Sequence, residues 1–253
     1  MPDCALVIPA RLNSSRFPRK LLAEVLGRPL ICWTAEAAHH AAEGLPLYFA
    51  VAGEELAGIL REAGYETILT DPDLPSGTDR LAAANREIGA DIVINIQADE
   101  PLVTARQVRQ LRDLAASDAF AVGTLARRFT HPEAFYDPNH VKVVVGSGGR
   151  ALYFSRAAIP YARDRKGEID EAFLAQAPVL HHLGVYAYTA DFLETYARLS
   201  PGKLEETEKL EQLRALENGY AIGVGETQTI TVGVDVPADI PRLECAIEAH
   251  TAR

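Results

Sequence analysis

Short apolar runs alternate with longer stretches of helical period through the first half of the chain, which is the rhythm of βαβ units on a mostly parallel sheet. Residues 5–9 are predicted as a first strand, 29–42 as a helix, 47–52 as a second strand, and 54–63 as a helix that stops at Gly64. A third strand is expected at 66–69, then a helix over 78–88 with Ser76 or Gly77 at its cap. A fourth strand at 91–96 ends in Gln97-Ala98-Asp99-Glu100-Pro101. From residue 120 the pattern becomes strand-rich, with strands expected at 120–125, 140–145, 151–154 and 183–188 and a charged segment at 163–171 between them. This reads as a second lobe on the same sheet. One long helix is predicted over 204–217, with Leu210, Leu213 and Leu216 on one stripe, Gly202 as its cap and Asn218-Gly219 as its stop. A strand at 229–232 and a helix at about 237–249 follow. The expected fold class is α/β, with a mostly parallel central sheet flanked by helices. No internal repeat or long linker interrupts it, so the lobes are expected to pack together.

Composition adds what the chain is not. At 253 residues, 48% hydrophobic and 24% charged, it has an ordinary globular balance and needs neither metal nor disulfides to fold. Its 35 acidic and 25 basic side chains leave a net charge of −10, which argues against a general nucleic-acid binder but permits a small local anion site. Cys4, Cys32 and Cys245 are far apart and without zinc or CxxC spacing, so a reducing, cytoplasmic location is expected. No apolar run approaches ~18 residues and no basic leader is visible, so neither secretion nor a membrane span is expected.

Candidate chemistry lies where predicted strands end. The first strand runs into Pro9-Ala10-Arg11-Leu12-Asn13-Ser14-Ser15-Arg16-Phe17-Pro18-Arg19-Lys20, a loop whose cations and backbone N–H groups suit a polyphosphate. It matches neither GxxxxGK[ST] nor GxGxxG. Ser76-Gly77-Thr78-Asp79-Arg80 opens a helix, so its hydroxyls either cap that helix or hold a ligand. Asp99 and Asp235 each follow a predicted strand, and two such aspartates could share a magnesium ion completed by phosphate oxygens and water. In the second lobe, Arg156 could pair with a carboxylate. His182 and Tyr186, four apart on a strand, fall on one face, while Glu211 and Gln212 project from a helix and can bond hydroxyls. For each of these a structural role, as a turn former, a satisfied core group or a solvated helix face, is the competing explanation.

Taken together, Pro9-Ala10-Arg11, Ser14, Arg16, Pro18 and Lys20, Ser76-Gly77-Thr78-Asp79-Arg80, Gln97 with Asp99-Glu100-Pro101, Tyr153-Phe154-Ser155-Arg156 and Leu210-Glu211-Gln212-Leu213-Arg214 resemble the 3-deoxy-manno-octulosonate cytidylyltransferase (CMP-Kdo synthetase) family. The resemblance runs from about residue 5 to 243 and takes in Val141-Lys142-Val143-Val144 and Leu216-Glu217-Asn218-Gly219. It implies a Rossmann-like nucleotide-diphospho-sugar transferase fold in one domain: a nucleotide part over about 1–118, a sugar and dimerisation part over about 119–225, and a closing segment over about 226–253. It implies a homodimer and a magnesium-dependent reaction in which CTP and Kdo give CMP-Kdo and pyrophosphate, supplying lipopolysaccharide synthesis. Arg11 and Lys20 would hold the triphosphate. Pro9, Ala10, Ser14, Ser76, Gly77, Thr78, Arg80 and Gln97 would line the nucleotide site, and Asp99 and Asp235 would ligate magnesium. Arg156 would face the sugar carboxylate, with His182, Tyr186, Glu211 and Gln212 on its hydroxyls.

Several positions depart from the family pattern. Arg19 replaces a glycine in the phosphate loop, and Ala98 replaces another, where a left-handed backbone would cost about 1 kcal/mol. Leu74 and Pro75 stand where the family has His and Gln. A cytidylyltransferase for a related acid, such as 8-amino-Kdo or a nonulosonic acid, is one alternative. A nucleotide or sugar-acid binding protein without turnover is the other.

Overall fold

Residues 4–11 form a strand because Cys4, Ala5, Leu6, Val7, Ile8 and Ala10 are apolar almost without interruption, the composition of a strand covered on both faces. The computed structural model describes residues 3–13, 17–117, 119–229 and 232–251. The fold is α/β, with a mostly parallel central sheet flanked by helices, and the chain divides into two compact units, residues 1–109 with 230–253 and residues 110–229.

In the first unit, β1 (Cys4–Arg11) is followed by the two-residue strands β2 (Glu24–Val25) and β3 (Arg28–Pro29), α1 (Leu30–Ala42), β4 (Leu47–Ala52), α2 (Glu54–Glu62), β5 (Glu66–Leu69), α3 (Gly77–Ile88) and β6 (Ile92–Asn95). β1 lies between β4 and β6, and β5 extends the sheet beyond β4, all parallel. Parallel strands end on one edge, so the segments after β1, β5 and β6 share that edge. Ser76 caps α3, its Oγ accepting from Asp79 N–H at 3.1 Å and donating to Asp79 Oδ2 at 2.6 Å. A second core joins Val25 and Leu30 to Val232, Val234, Leu243 and Ile247, with Leu243 on the C-terminal helix Ile240–Thr251. It fixes residues 232–234 against the segment around α1. Of the strand expected at 229–232, residues 230 and 231 lie outside the described residues, and the flanking residues are irregular.

α4 (Ala105–Ala115) runs through the division at residue 109. The second unit holds β7 (Val122–Arg127), α5 (Pro132–Tyr136), β8 (Lys142–Val145), β9 (Ala151–Ser155), α6 (Glu171–Leu174), β10 (Val179–Thr189), α7 (Ala190–Tyr196), α8 (Lys203–Glu208), α9 (Gln212–Glu217) and β11 (Ile222–Glu226). β10 pairs antiparallel with β7 and β8, β8 antiparallel with β9, and β11 parallel with β7. The single helix expected over 204–217 is two helices. Lys209 adopts a left-handed φ of 54°, its N–H closes on Glu205 C=O, and the chain restarts at Glu211. Gly202 and Asn218 do stand at the outer ends, as the sequence indicates.

Candidate active site

The edge at the ends of β1 and β6 gathers the first unit's candidates. Pro9 and Ala10 are the last inward residues of β1, Ala10 is buried, and Arg11 is exposed at its end. Gly77 opens α3 beside them: a Cβ there would sit 3.7 Å from Pro9 Cγ. Ser76, Thr78 and Arg80 are buried, and the Ser76 hydroxyl is committed to its cap. Arg80 is 2% exposed, and its Nη1 donates to Thr70 Oγ1 and to Asp71 C=O, the latter at 3.1 Å. Its Nη2 is buried and has no hydrogen-bond partner. Burial, then the neighbouring Arg11, lowers the Arg80 pKa while Asp71 opposes the shift. Two guanidiniums this close with a donor unspent are an anion-binding arrangement. Gln97 is half-buried after β6, and Ser14 lies outside the described residues.

Lys20 ties this edge to the end of the chain. Its Nζ pairs with the Asp99 carboxylate and donates to Val234 C=O at 2.7 Å, which brings Lys20, Asp99 and the residue before Asp235 together. Asp235 is exposed, and Asp239 Oδ2 accepts from both Asp235 N–H (2.8 Å) and Val236 N–H (3.0 Å), closing the turn that carries it. Glu100, which the sequence reading did not single out, completes the cluster. Its Oε2 is buried without a partner, and burial, then the Asp99 and Asp235 charges against Lys20, pushes its pKa up to about 8. The available signal was two consecutive acids at a strand's carboxyl end.

Among the described residues no set of three or more His, Cys, Asp or Glu converges to hold a metal alone. The chemistry of the donors nonetheless fits magnesium. Two carboxylates, an orphaned buried carboxyl oxygen beside them and an ammonium already drawn to Asp99 mark a place that attracts positive charge. Magnesium prefers one or two carboxylates plus phosphate and water.

Two departures resolve, one in the phosphate loop and one in the loop after β6. Arg19 takes the left-handed conformation itself (φ 58°, ψ 25°), and its guanidinium pairs with Glu55, Nη1 donating to Oε2 at 3.1 Å. Ala98 is not among the left-handed residues, so its Cβ carries no such cost, and its carbonyl accepts from Thr34 Oγ1 at 2.8 Å.

In the second unit, β10 delivers His182 and Tyr186. Between Leu183 and Tyr186 it advances three residues while β7 advances one, from Leu125 to Thr124, so the strand bulges. The two rings are 5.4 Å apart, where a straight strand would separate such residues by about 13 Å. Thr124 Oγ1 donates its one hydrogen to Val185 C=O (2.7 Å), so its contact with His182 Nε2 at 3.1 Å has the imidazole donating. Nδ1 is then the acceptor, and burial keeps the ring neutral, its pKa lowered to about 3. Glu211 precedes α9, near enough to raise the Tyr186 and Tyr196 phenols after burial has done most of it. Gln212 Nε2 and Tyr196 Oη are buried without hydrogen-bond partners. Arg156 follows β9 and is half-buried. Among the described residues no helix is long and apolar enough to cross a membrane.

The chain is similar to known proteins in sequence and in fold. A cytidylyltransferase family profile matches residues 5–227. The 3-deoxy-manno-octulosonate cytidylyltransferase of Syntrophobacter fumaroxidans is 47% identical over 239 residues, 92% of each chain. That of Acidobacterium capsulatum is 42% identical over 238 residues, 94% of each chain. A solved CMP:2-keto-3-deoxy-manno-octonic acid synthetase complexed with CTP superposes with a TM-score of 0.87 at 36% identity, covering 98% of this chain and 99% of that one. With the profile spanning most of its length and relatives this similar over almost all of it, the chain belongs to the cytidylyltransferase family.

Proposed function

We propose that this chain is a magnesium-dependent cytidylyltransferase that converts CTP and Kdo to CMP-Kdo and pyrophosphate, in the cytoplasm and as a homodimer, for lipopolysaccharide synthesis. The observation that carries the reading is the Lys20 ammonium held by Asp99 and the carbonyl before Asp235, with the unspent Arg80 donor on the same unit. The names shared by the relatives, and CTP in the solved one, supply the substrates.

Arg11, Arg80 and Lys20 bind the triphosphate, and Lys20 exchanges Asp99 for a phosphate oxygen as the nucleotide enters. Ala10, Thr78 and Gln97 line the nucleotide, with Pro9 and Gly77 shaping the wall. Asp99 and Asp235 would hold magnesium, which would supply positive charge against the phosphate oxygens. Arg156 takes the sugar carboxylate, while His182 Nδ1, Tyr186, Glu211 and Gln212 orient the hydroxyls. The anomeric 2-hydroxyl oxygen bonds to the α-phosphorus as the bond to the bridging pyrophosphate oxygen breaks, and the hydroxyl proton is released. No side chain forms a covalent intermediate. Catalysis is positioning and electrostatic stabilisation.

Phosphorus NMR of CTP, magnesium and protein with Kdo tests this: one new phosphodiester resonance and pyrophosphate in equal amounts are expected. Turnover only with 8-amino-Kdo or a nonulosonic acid would keep the chemistry and replace the sugar. Binding of CTP and Kdo without product would overturn the reading.

A further inference from the structure

Arg156 is held by more than its own strand. Its backbone N–H donates to Glu208 Oε2 at 2.9 Å, its Nε to the Glu208 backbone carbonyl at 2.8 Å, and its Nη1 to Pro138 C=O at 3.2 Å. The other carboxylate oxygen, Glu208 Oε1, accepts from Ser155 Oγ at 2.6 Å, so Glu208 grips two consecutive residues at the end of β9. Behind them stands a fully buried lysine that the proposed reaction does not use. Lys142 Nζ donates to Asp137 C=O at 3.0 Å and His140 C=O at 2.7 Å, bracing the turn that presents the Pro138 carbonyl. The strand register sets Lys142 opposite both Ser155 on β9 and His181 on β10, the residues before Arg156 and His182.

Burying an ammonium against two neutral carbonyls is costly, and Lys142 accordingly has a lowered pKa, with Asp137 and Glu208 opposing the shift. A chain that needed only a filled core here could have placed an apolar side chain. The bonds instead fix three of Arg156's N–H groups from the protein side. A guanidinium and its backbone amide carry six N–H bonds, so donors remain for a planar anion.

We propose that Glu208 is a positioning residue which, with Lys142 bracing the 137–140 turn, holds the Arg156 guanidinium in register for the carboxylate of the sugar acid. This rests on the assignment of Arg156 to that carboxylate. Glu208 touches no substrate, and its effect passes through Arg156.

The test is a double-mutant cycle on Glu208→Gln and Arg156→Ala, with steady-state constants for both substrates and thermal midpoints for all variants. Glu208→Gln is expected to raise the KM for Kdo about tenfold, with kcat and the KM for CTP within about twofold, and to add nothing further in the Arg156→Ala background. Equal, multiplying losses in both backgrounds, or a KM for Kdo unchanged by Glu208→Gln while Arg156→Ala raises it, would overturn the positioning role and leave the reaction standing. An unchanged KM for Kdo in Arg156→Ala would remove the assignment of Arg156 and the proposal with it. Should Glu208→Gln fail to fold, Ser155→Ala releases one oxygen of the same carboxylate: a smaller rise in the KM for Kdo supports the proposal, and no change overturns it.

Discussion

The Lys20 ammonium lies against Asp99 and the Val234 carbonyl, so the charge that would meet a triphosphate is the one that neutralises the acid expected to meet magnesium. Asp99→Asn preserves shape and removes that charge. Turnover should fall by about a thousandfold or more while the thermal midpoint moves only a few degrees, and near-normal turnover would contradict the assignment. Arg19, in the same loop, reads in sequence as one more cation for phosphate. Its backbone φ of 58° and its pairing with Glu55 assign it elsewhere. Arg19→Gly relieves the left-handed strain, so the unfolding midpoint should hold or rise slightly and the KM for CTP should stay within about twofold. A tenfold rise in that KM would place Arg19 on the nucleotide. Residue type and loop position made Lys20, Asp99 and Asp235 visible as candidates in the sequence. Arg19's partner was not, because Glu55 is 36 positions away and local pattern carries no long-range pairing. Glu100 was named in its motif without a role because burial, which makes its carboxyl unusual, is a tertiary property.

At the scale of elements, β4 and β5 lie where hydrophobic period puts them, at 47–52 and 66–69 residue for residue, since period is local, whereas β2, β3 and α4 were not among the expected elements. The stretch 204–217 breaks instead at Lys209, where the leucine stripe continues in sequence but Arg214 turns back to grip Glu205, Nε donating to Oε2 at 2.7 Å. A buried ion pair formed by tertiary packing outweighs the period. The C-terminal helix contributes to the site through packing, because Leu243 belongs to the core that seats Val234 beneath Lys20. Leu243→Ala should cost about 2–5 kcal/mol in denaturant unfolding. Activity should fall with it, and a full loss of that stability with unchanged activity would uncouple the core from the site. In β10, His181 and His182 have pKa values lowered to about 3, chiefly by burial. Both stay neutral in the folded chain while the unfolded chain binds protons below about 6.5, so their stabilisation is full above that pH and is lost as pH falls towards 3. The slope approaches about 1.4 kcal/mol per pH unit for each histidine. Urea unfolding from pH 7 to 4 should show it, and His182→Gln should flatten it. An unchanged slope would contradict the burial of His182.

Over the whole molecule, the net charge of −10 means that the two anionic substrates of the proposed reaction must be met by local cations. In the proposed reading, Arg11, Lys20 and Arg80 are assigned to one substrate in the first unit and Arg156 to the other in the second. Each unit has buried polar groups whose bonding is incomplete, among them Arg80 Nη2 and Glu100 Oε2 in one and Gln212 Nε2 and Tyr196 Oη in the other. Such groups are expensive in a finished structure and are explained when a ligand completes them. The central claim is that the two ligands are CTP and Kdo and that the protein joins them. Pyrophosphate release should be measured with purified protein, each of the four nucleoside triphosphates, and Kdo and magnesium each present or absent. The account predicts release only when CTP, Kdo and magnesium are all supplied. Release from CTP that is indifferent to Kdo, or no release under any combination from folded protein, would contradict it.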